Sequence, residues 1–337
     1  MSKRFLAAAC AAATALALSA CSSAPSSEGN ASKDGTLTVM ASFYPLQYLA
    51  EKIGGEHVTV TSLTPAGAEP HDLELSPKTV DALASADAVV YLAGFQAAVD
   101  EAIEQQAPTT VIDVSPAVEL VEANSSANHP SEDEDADEAQ SGESATEEHA
   151  DHDHEGHDHE GHHHDMSADP HFWLDPVRMA SAATLVGDKL AEADPANADT
   201  YKANAQALNE ELSVLGDDLV AKTATCQIKT FVTAHTAFGY LADRTGLTQV
   251  GISGLDPDSS PSPARLAEIG QIAKEQGVTT IFTEALIDPK VAQTLADDLG
   301  ISTAVLDPIE SQTDSSKDYA AVMKDNINAL ATANNCQ

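Results

Sequence analysis

Eight of the thirteen histidines crowd into one short run: His149, His152, His154, His157, His159, His162, His163 and His164 lie between Glu148 and Asp165, interleaved with carboxylates and glycines. Imidazole is the commonest protein ligand for zinc, and an ordinary pKa of about 6.5 leaves it mostly neutral and able to coordinate at pH 7. The run has nothing with which to build a core, so it is expected to stay solvated and to hold metal weakly. Four other candidates stand in segments of a different texture. His71 lies in AGAEPHDLELSP and His171 in ADPHFWLDP, while His235 closes the apolar run FVTAH and Asp307 closes AVLDP. A ligand at the end of a strand faces the crevice in open α/β folds, which favours these positions over mid-helix ones.

Alternating strands and helices are needed to hold such residues. TLTVMASFY, HVTVTSL, ADAVVYLAG and TTVIDVS read as short buried strands, with helices over YPLQYLAEKIGG and from Phe95 to Gln106. The same alternation resumes in KTFVTAH, LTQVGIS, TTIFTEA and ISTAVLDP, with helices between them and a last one over about Tyr319–Ala333. From Pro176 to about Thr223 the chain is rich in Ala, Leu, Glu and Lys. Tyr201, Ala205, Leu208, Leu212, Leu215 and Leu219 form an apolar stripe there, and Asp194-Pro195 supplies a helix-start signal. The predicted fold is α/β: two lobes with parallel sheets flanked by helices, joined by one long rigid helix. The expected divisions are 36–175 for the first lobe, with a His/acid-rich insert at 123–168, then 176–224 for the linking helical region and 225–337 for the second lobe.

Length and charge narrow the classes further. A chain of 337 residues exceeds one typical core. Its net charge of −38 repels phosphate backbones and argues against nucleic acid as a partner. Residues 125–168 contribute fifteen acids and no Lys or Arg, over a third of that excess.

The beginning of the chain reads as a secretory signal over 1–20. Lys3 and Arg4 precede the apolar run Phe5 to Leu18, and Leu18-Ser19-Ala20 leads into Cys21. This resembles a bacterial lipobox, so Cys21 is expected to carry lipid, with 21–35 as a Ser/Gly-rich tether on the extracytoplasmic face of the cell membrane. Cys10 leaves with the signal, and Cys226 and Cys336 remain. Two thiols outside the cytoplasm are usually paired, and closing a loop this long is worth ~4 kcal/mol in the chain-entropy model. Metal ligation by the pair is the weaker alternative, because TATCQIK and NNCQ show no ligand spacing.

The motifs PHDLELSP, DPHFWLDP, FVTAHTAFGYLADRTGL, SSPSPARL and TEALIDPKVAQTLADDLGISTAVLDP occur in that order. Together they resemble the zinc/manganese-specific solute-binding lipoproteins of ABC transporters, the ZnuA-like group or cluster A-I, over residue 36 to the end. The resemblance implies one buried metal between two lobes, held by His71, His171, His235 and Asp307. Glu284, in FTEA, is expected to touch a ligand rather than the metal, and Glu69, separated from His71 by Pro70, is, like water, an alternative to Asp307 as the fourth ligand. Three imidazoles and one carboxylate form the tetrahedral N/O set that Zn2+ favours at about 2.0–2.1 Å, whereas manganese prefers carboxylate-rich sites. His57 matches no motif, and Trp173 reads as packing at the lobe boundary.

The function implied is an extracytoplasmic receptor that binds Zn2+ and delivers it to an ABC permease with a cytoplasmic ATPase, acting as a lipid-anchored monomer and not as an enzyme. The histidine run would hold additional weak zinc. A manganese or iron receptor of the same family is the alternative. A zinc hydrolase is a more distant one: Glu284 could serve as a base, but there is no HExxH and no nucleophile motif. Nothing in the sequence supports a surface adhesin.

Overall fold

The computed structural model describes residues 36–122 and 168–337. The lipidation candidate Cys21 and the histidine run from His149 to His164 lie outside the described residues. Chain order in the first part is β1 (Leu37–Ala41), α1 (Tyr44–Gly54), β2 (Val58–Ser62), α2 (Pro77–Leu83), β3 (Ala88–Tyr91), α3 (Ala97–Gln106), β4 (Val111–Asp113) and α4 (Ser115–Val118). Helices α5 (Pro176–Ala193) and α6 (Ala198–Thr223) follow. The second part comprises β5 (Thr230–Thr233), α7 (Gly239–Thr245), β6 (Thr248–Gly251), α8 (Pro263–Gln276), β7 (Thr280–Thr283), α9 (Lys290–Leu299), β8 (Ser302–Val305) and α10 (Tyr319–Ala333).

Each part holds a four-stranded sheet, ordered β2-β1-β3-β4 in the first and β6-β5-β7-β8 in the second, and every pairing is parallel. Side chains on a strand alternate between faces, and here each face meets its own core. Val39, Ala41, Ala88 and Val90 turn into one large cluster that runs through α1, α5, α6 and α10, while Met40 and Val89 turn outward to α2 and α3. In the second sheet Phe231 and Phe282 join the same large cluster, and Val232 and Ile281 face α8 and α9. The inner core is therefore continuous between the two lobes, which opposes large relative motion. Helices α7, α8 and α9 stop at Gly246, Gly277 and Gly300, each left-handed with φ of 65–68°, where a Cβ would be unfavourable.

The linking region is two antiparallel helices where one was expected. The helix-start signal at Asp194-Pro195 instead closes α5. The Asp194 carboxylate accepts hydrogen bonds from Asn197 Nδ2 (2.7 Å) and the Tyr201 hydroxyl (2.9 Å), so it fastens the turn between the helices. Helix α6, about 39 Å long at 1.5 Å per residue, packs against α1 of the first lobe and α7 and α10 of the second. Cys226, just past α6, is disulfide-bonded to Cys336, just past α10. Among the described residues, no helix is long and apolar enough to cross a membrane.

Candidate metal centre

The carboxyl ends of both sheets open toward one crevice, and four chain segments deliver side chains into it. His71 sits in the loop between β2 and α2, where its ring meets the edge of Phe95. His171 lies two residues past the point where Asp169 N donates to Val121 O (2.9 Å). His235 follows β5, whose four residues are all buried, and its carbonyl accepts from Gln249 Nε2 and Thr233 Oγ1. Glu310 comes from the loop after β8. Ring packing of His171 on Trp173, and a 2.7 Å hydrogen bond from Trp173 Nε1 to Pro308 O, tie the His171 segment to the Glu310 loop. Trp173 is thus a packing residue between the lobes.

One carboxylate oxygen, Glu310 Oε1, stands 3.4 Å from His71 Nε2, 3.1 Å from His171 Nε2 and 3.4 Å from His235 Nε2. The Nε2 atoms of His171 and His235 are themselves 3.4 Å apart. All four side chains are nearly or wholly shut off from solvent. The outward nitrogens of two rings are fixed by carboxylates. Glu284 Oε2 meets His235 Nδ1 at 2.7 Å while its Oε1 accepts from the His235 amide, and Asp169 Oδ1 takes both His171 Nδ1 (2.8 Å) and the His171 amide (3.0 Å). A carboxylate at Nδ1 keeps the proton there, so Nε2 presents its lone pair inward.

Such buried acid–imidazole pairs shift their titration. Burial alone would lower His235, but Glu284 and Glu310 outweigh it and push the ring up to about 10. His171 is likewise raised, the pull of Asp169 and Glu310 exceeding the penalty of burial. Glu310, despite burial, is held well below the usual carboxylate range by the three histidines. Without a cation the His171 and His235 rings therefore hold their protons more tightly, and an incoming metal displaces them.

Asp307 does not reach the cluster. Its Oδ1 accepts from Ile309 N (2.8 Å), and its backbone pairs in both directions with the Asn326 side chain, which makes it the corner of a turn. The chain then passes through Ile309 at φ +58°, a left-handed conformation costly for a β-branched residue, and the next side chain, Glu310, occupies the fourth corner. Glu69 stays at the rim. Its Oε2 accepts from the His71 amide (2.9 Å), and Oε1 lies 4.0 Å from His71 Nε2. His57 meets the Tyr201 ring edge-on, away from the crevice.

The profile described as "zinc-uptake complex component A, periplasmic", the ZnuA family, matches residues 39–333. The chain belongs to that family. It is 33% identical over 312 residues to the zinc-binding protein AdcA of Streptococcus pyogenes, which covers 88% of this chain and 56% of that protein. The chain thus spans little more than half the length of the streptococcal AdcA relatives. Against the high-affinity zinc uptake system protein ZnuA of Bacillus subtilis it is 33% identical over 323 residues, covering 94% of this chain and 93% of the relative. A Zn(II)-bound variant of AdcAII from Streptococcus pneumoniae superposes with a TM-score of 0.73 at 29% identity, over 89% of this chain and 99% of that one.

Within this ZnuA-type fold, the structure brings the expected His71, His171 and His235 together with Glu284 behind His235, and adds Glu310 and Asp169, which the sequence did not single out. Glu310 follows LDP by two positions, so only the course of the turn distinguishes it from Asp307. Asp169 carries a weak signal: an acid two residues before a buried histidine can fold back onto the ring and amide together.

Proposed function

We propose that this chain is the metal-receptor subunit of an ABC importer, carrying one Zn2+ as cargo in the crevice and delivering it to a membrane permease driven by a cytoplasmic ATPase. The observation that carries the reading is the spacing of the four donors. A tetrahedral zinc with bonds of about 2.0–2.1 Å has its donors about 3.3–3.4 Å apart. His71, His171, His235 and Glu310 meet at 3.1–3.4 Å along four of the six edges, and all four donor atoms lie within 4.8 Å of one another. Three nitrogens and one oxygen suit zinc better than manganese or iron, which favour sites richer in oxygen.

Four protein donors also fill four-coordination and leave no position for an activated water, which supports a carrier over a hydrolase. Glu284, the side chain available as a base, is already engaged at His235 Nδ1. An acylated Cys21 would tether the monomer to the extracytoplasmic face of the membrane.

The histidine run is proposed to collect zinc weakly close to the crevice. His164 precedes Ala168, where the described chain resumes, by four positions, which sets the run next in sequence to the segment that carries His171. Deleting 125–165 leaves the bridge between Glu122 and Ala168 in place. Slower uptake only at scarce zinc is expected from that deletion, and unchanged uptake there would remove the collecting role.

The receptor reading is tested by zinc accumulation in cells lacking the chain. Restoration by the wild-type gene and not by a His71→Ala gene is expected. Equal accumulation with and without the chain would overturn it.

A further inference from the structure

The hydroxyl of Tyr240, on α7 of the second lobe, is buried and lies between the two ends of chain that flank residues 123–167. It accepts from Val121 N at 2.9 Å and donates to Asp169 O at 2.7 Å, while Asp169 N donates to Val121 O at 2.9 Å. A closed circuit of three hydrogen bonds therefore fixes the backbone of Asp169. The carboxylate of the same residue holds both the amide and the Nδ1 of His171. Asp169 Oδ2 is buried with no hydrogen-bond partner, so the grip on His171 rests on a single oxygen, and its direction depends on where the backbone is held.

We infer that Tyr240 is a positioning residue for the metal centre: its hydroxyl, reaching across from the opposite lobe, fixes Asp169 and through it the tautomer and aim of His171. The inference rests on the proposed zinc site. The path has no slack, since Asp169 and His171 are both fully buried and His171 Nε2 ends 3.1 Å from Glu310 Oε1. Burial pushes the Tyr240 phenol up, so the hydroxyl remains a donor. Its ring is held separately, by the Arg178 guanidinium 4.8 Å from the centroid, and Arg178 also donates to Val118 O and Glu119 O. Removing only the hydroxyl therefore isolates the proposed role from the packing of the ring. Partners one step behind a histidine ligand typically change metal affinity about 10- to 100-fold when lost. A partner two steps behind is expected near the lower figure.

The test is Tyr240→Phe in the full chain, read by chelator-competition affinity for Zn2+ and by the visible absorption of bound Co2+, whose ligand-field bands report the geometry of the donors. The expected result is zinc binding weaker by about 5- to 20-fold and a shifted Co2+ band. Combination with Asp169→Asn is expected to weaken binding by less than the product of the two single effects, because both act through one path. A variant with a lower melting temperature but unchanged affinity and band would overturn the inference, as would fully multiplicative effects. If Tyr240→Phe does not fold, 3-fluorotyrosine at 240 keeps the hydroxyl and alters its donor strength. A shifted Co2+ band then supports the inference and an identical band overturns it. Failure of the wild-type chain to bind zinc would instead defeat the zinc-site reading itself.

Discussion

At the scale of single residues, the centre is built from an inner layer that converges and an outer layer that aims. Among the described residues, Glu310 is the one carboxylate that reaches all three Nε2 atoms. Glu310→Ala is therefore expected to lower zinc affinity at least about 100-fold, by removing a ligand and leaving three imidazoles without their counter-charge. Asp307→Asn should leave affinity within about threefold, since Asp307 only turns the backbone. The reverse ranking in a chelator competition would place the ligand at Asp307 after all. Glu284→Gln keeps the shape but takes the charge from His235 Nδ1, and a loss of about 10- to 100-fold is expected. Equal affinity would reduce Glu284 to a filler. The three histidines could be picked out because each stands in a short distinctive motif, and His235 also follows directly on β5. Glu310 could not, because the turn that aims it passes through Ile309 at positive φ, and no glycine marks that turn in the sequence.

At the scale of elements, the central strands β1, β3, β5 and β7 were readable as apolar runs because they are covered on both faces. Their order was not, since the pairing β2-β1-β3-β4 leaves no trace in local periodicity. The linking hairpin was half legible. The stripe from Tyr201 to Leu219 marked α6, whereas Asp194 acts from the side of α5 and so disguises the boundary. The hairpin depends on a close approach at Gly187, where a Cβ would stand 2.4 Å from Ala205 Cβ. Gly187→Leu should gain a few tenths of a kcal/mol to ~1 kcal/mol in helix propensity and lose ~1–3 kcal/mol or more to overpacking. A lower thermal midpoint is therefore expected, and a midpoint equal to wild type would show that α5 and α6 can part at no cost.

At the scale of the whole molecule, one inner core passes from lobe to lobe through α5 and α6, so the crevice is largely preformed. The disulfide between Cys226 and Cys336 closes 110 residues around the second lobe, and Cys counting alone foretold it. Replacing both with serine is expected to cost ~4–5 kcal/mol of stability in the chain-entropy model while leaving zinc affinity within about twofold, because the bridge lies at the far ends of α6 and α10. A large loss of affinity in a still-folded variant would mean that the C-terminal anchorage shapes the crevice. The proposed centre is a single buried zinc held by three histidines and Glu310. Its most direct measurement is a chelator-competition titration of the full chain with Zn2+, then with Mn2+ as competitor. One tightly held equivalent of zinc, undisplaced by manganese and lost in His171→Ala, is the expected result; a preference for manganese, or tight binding that survives His171→Ala, would contradict it.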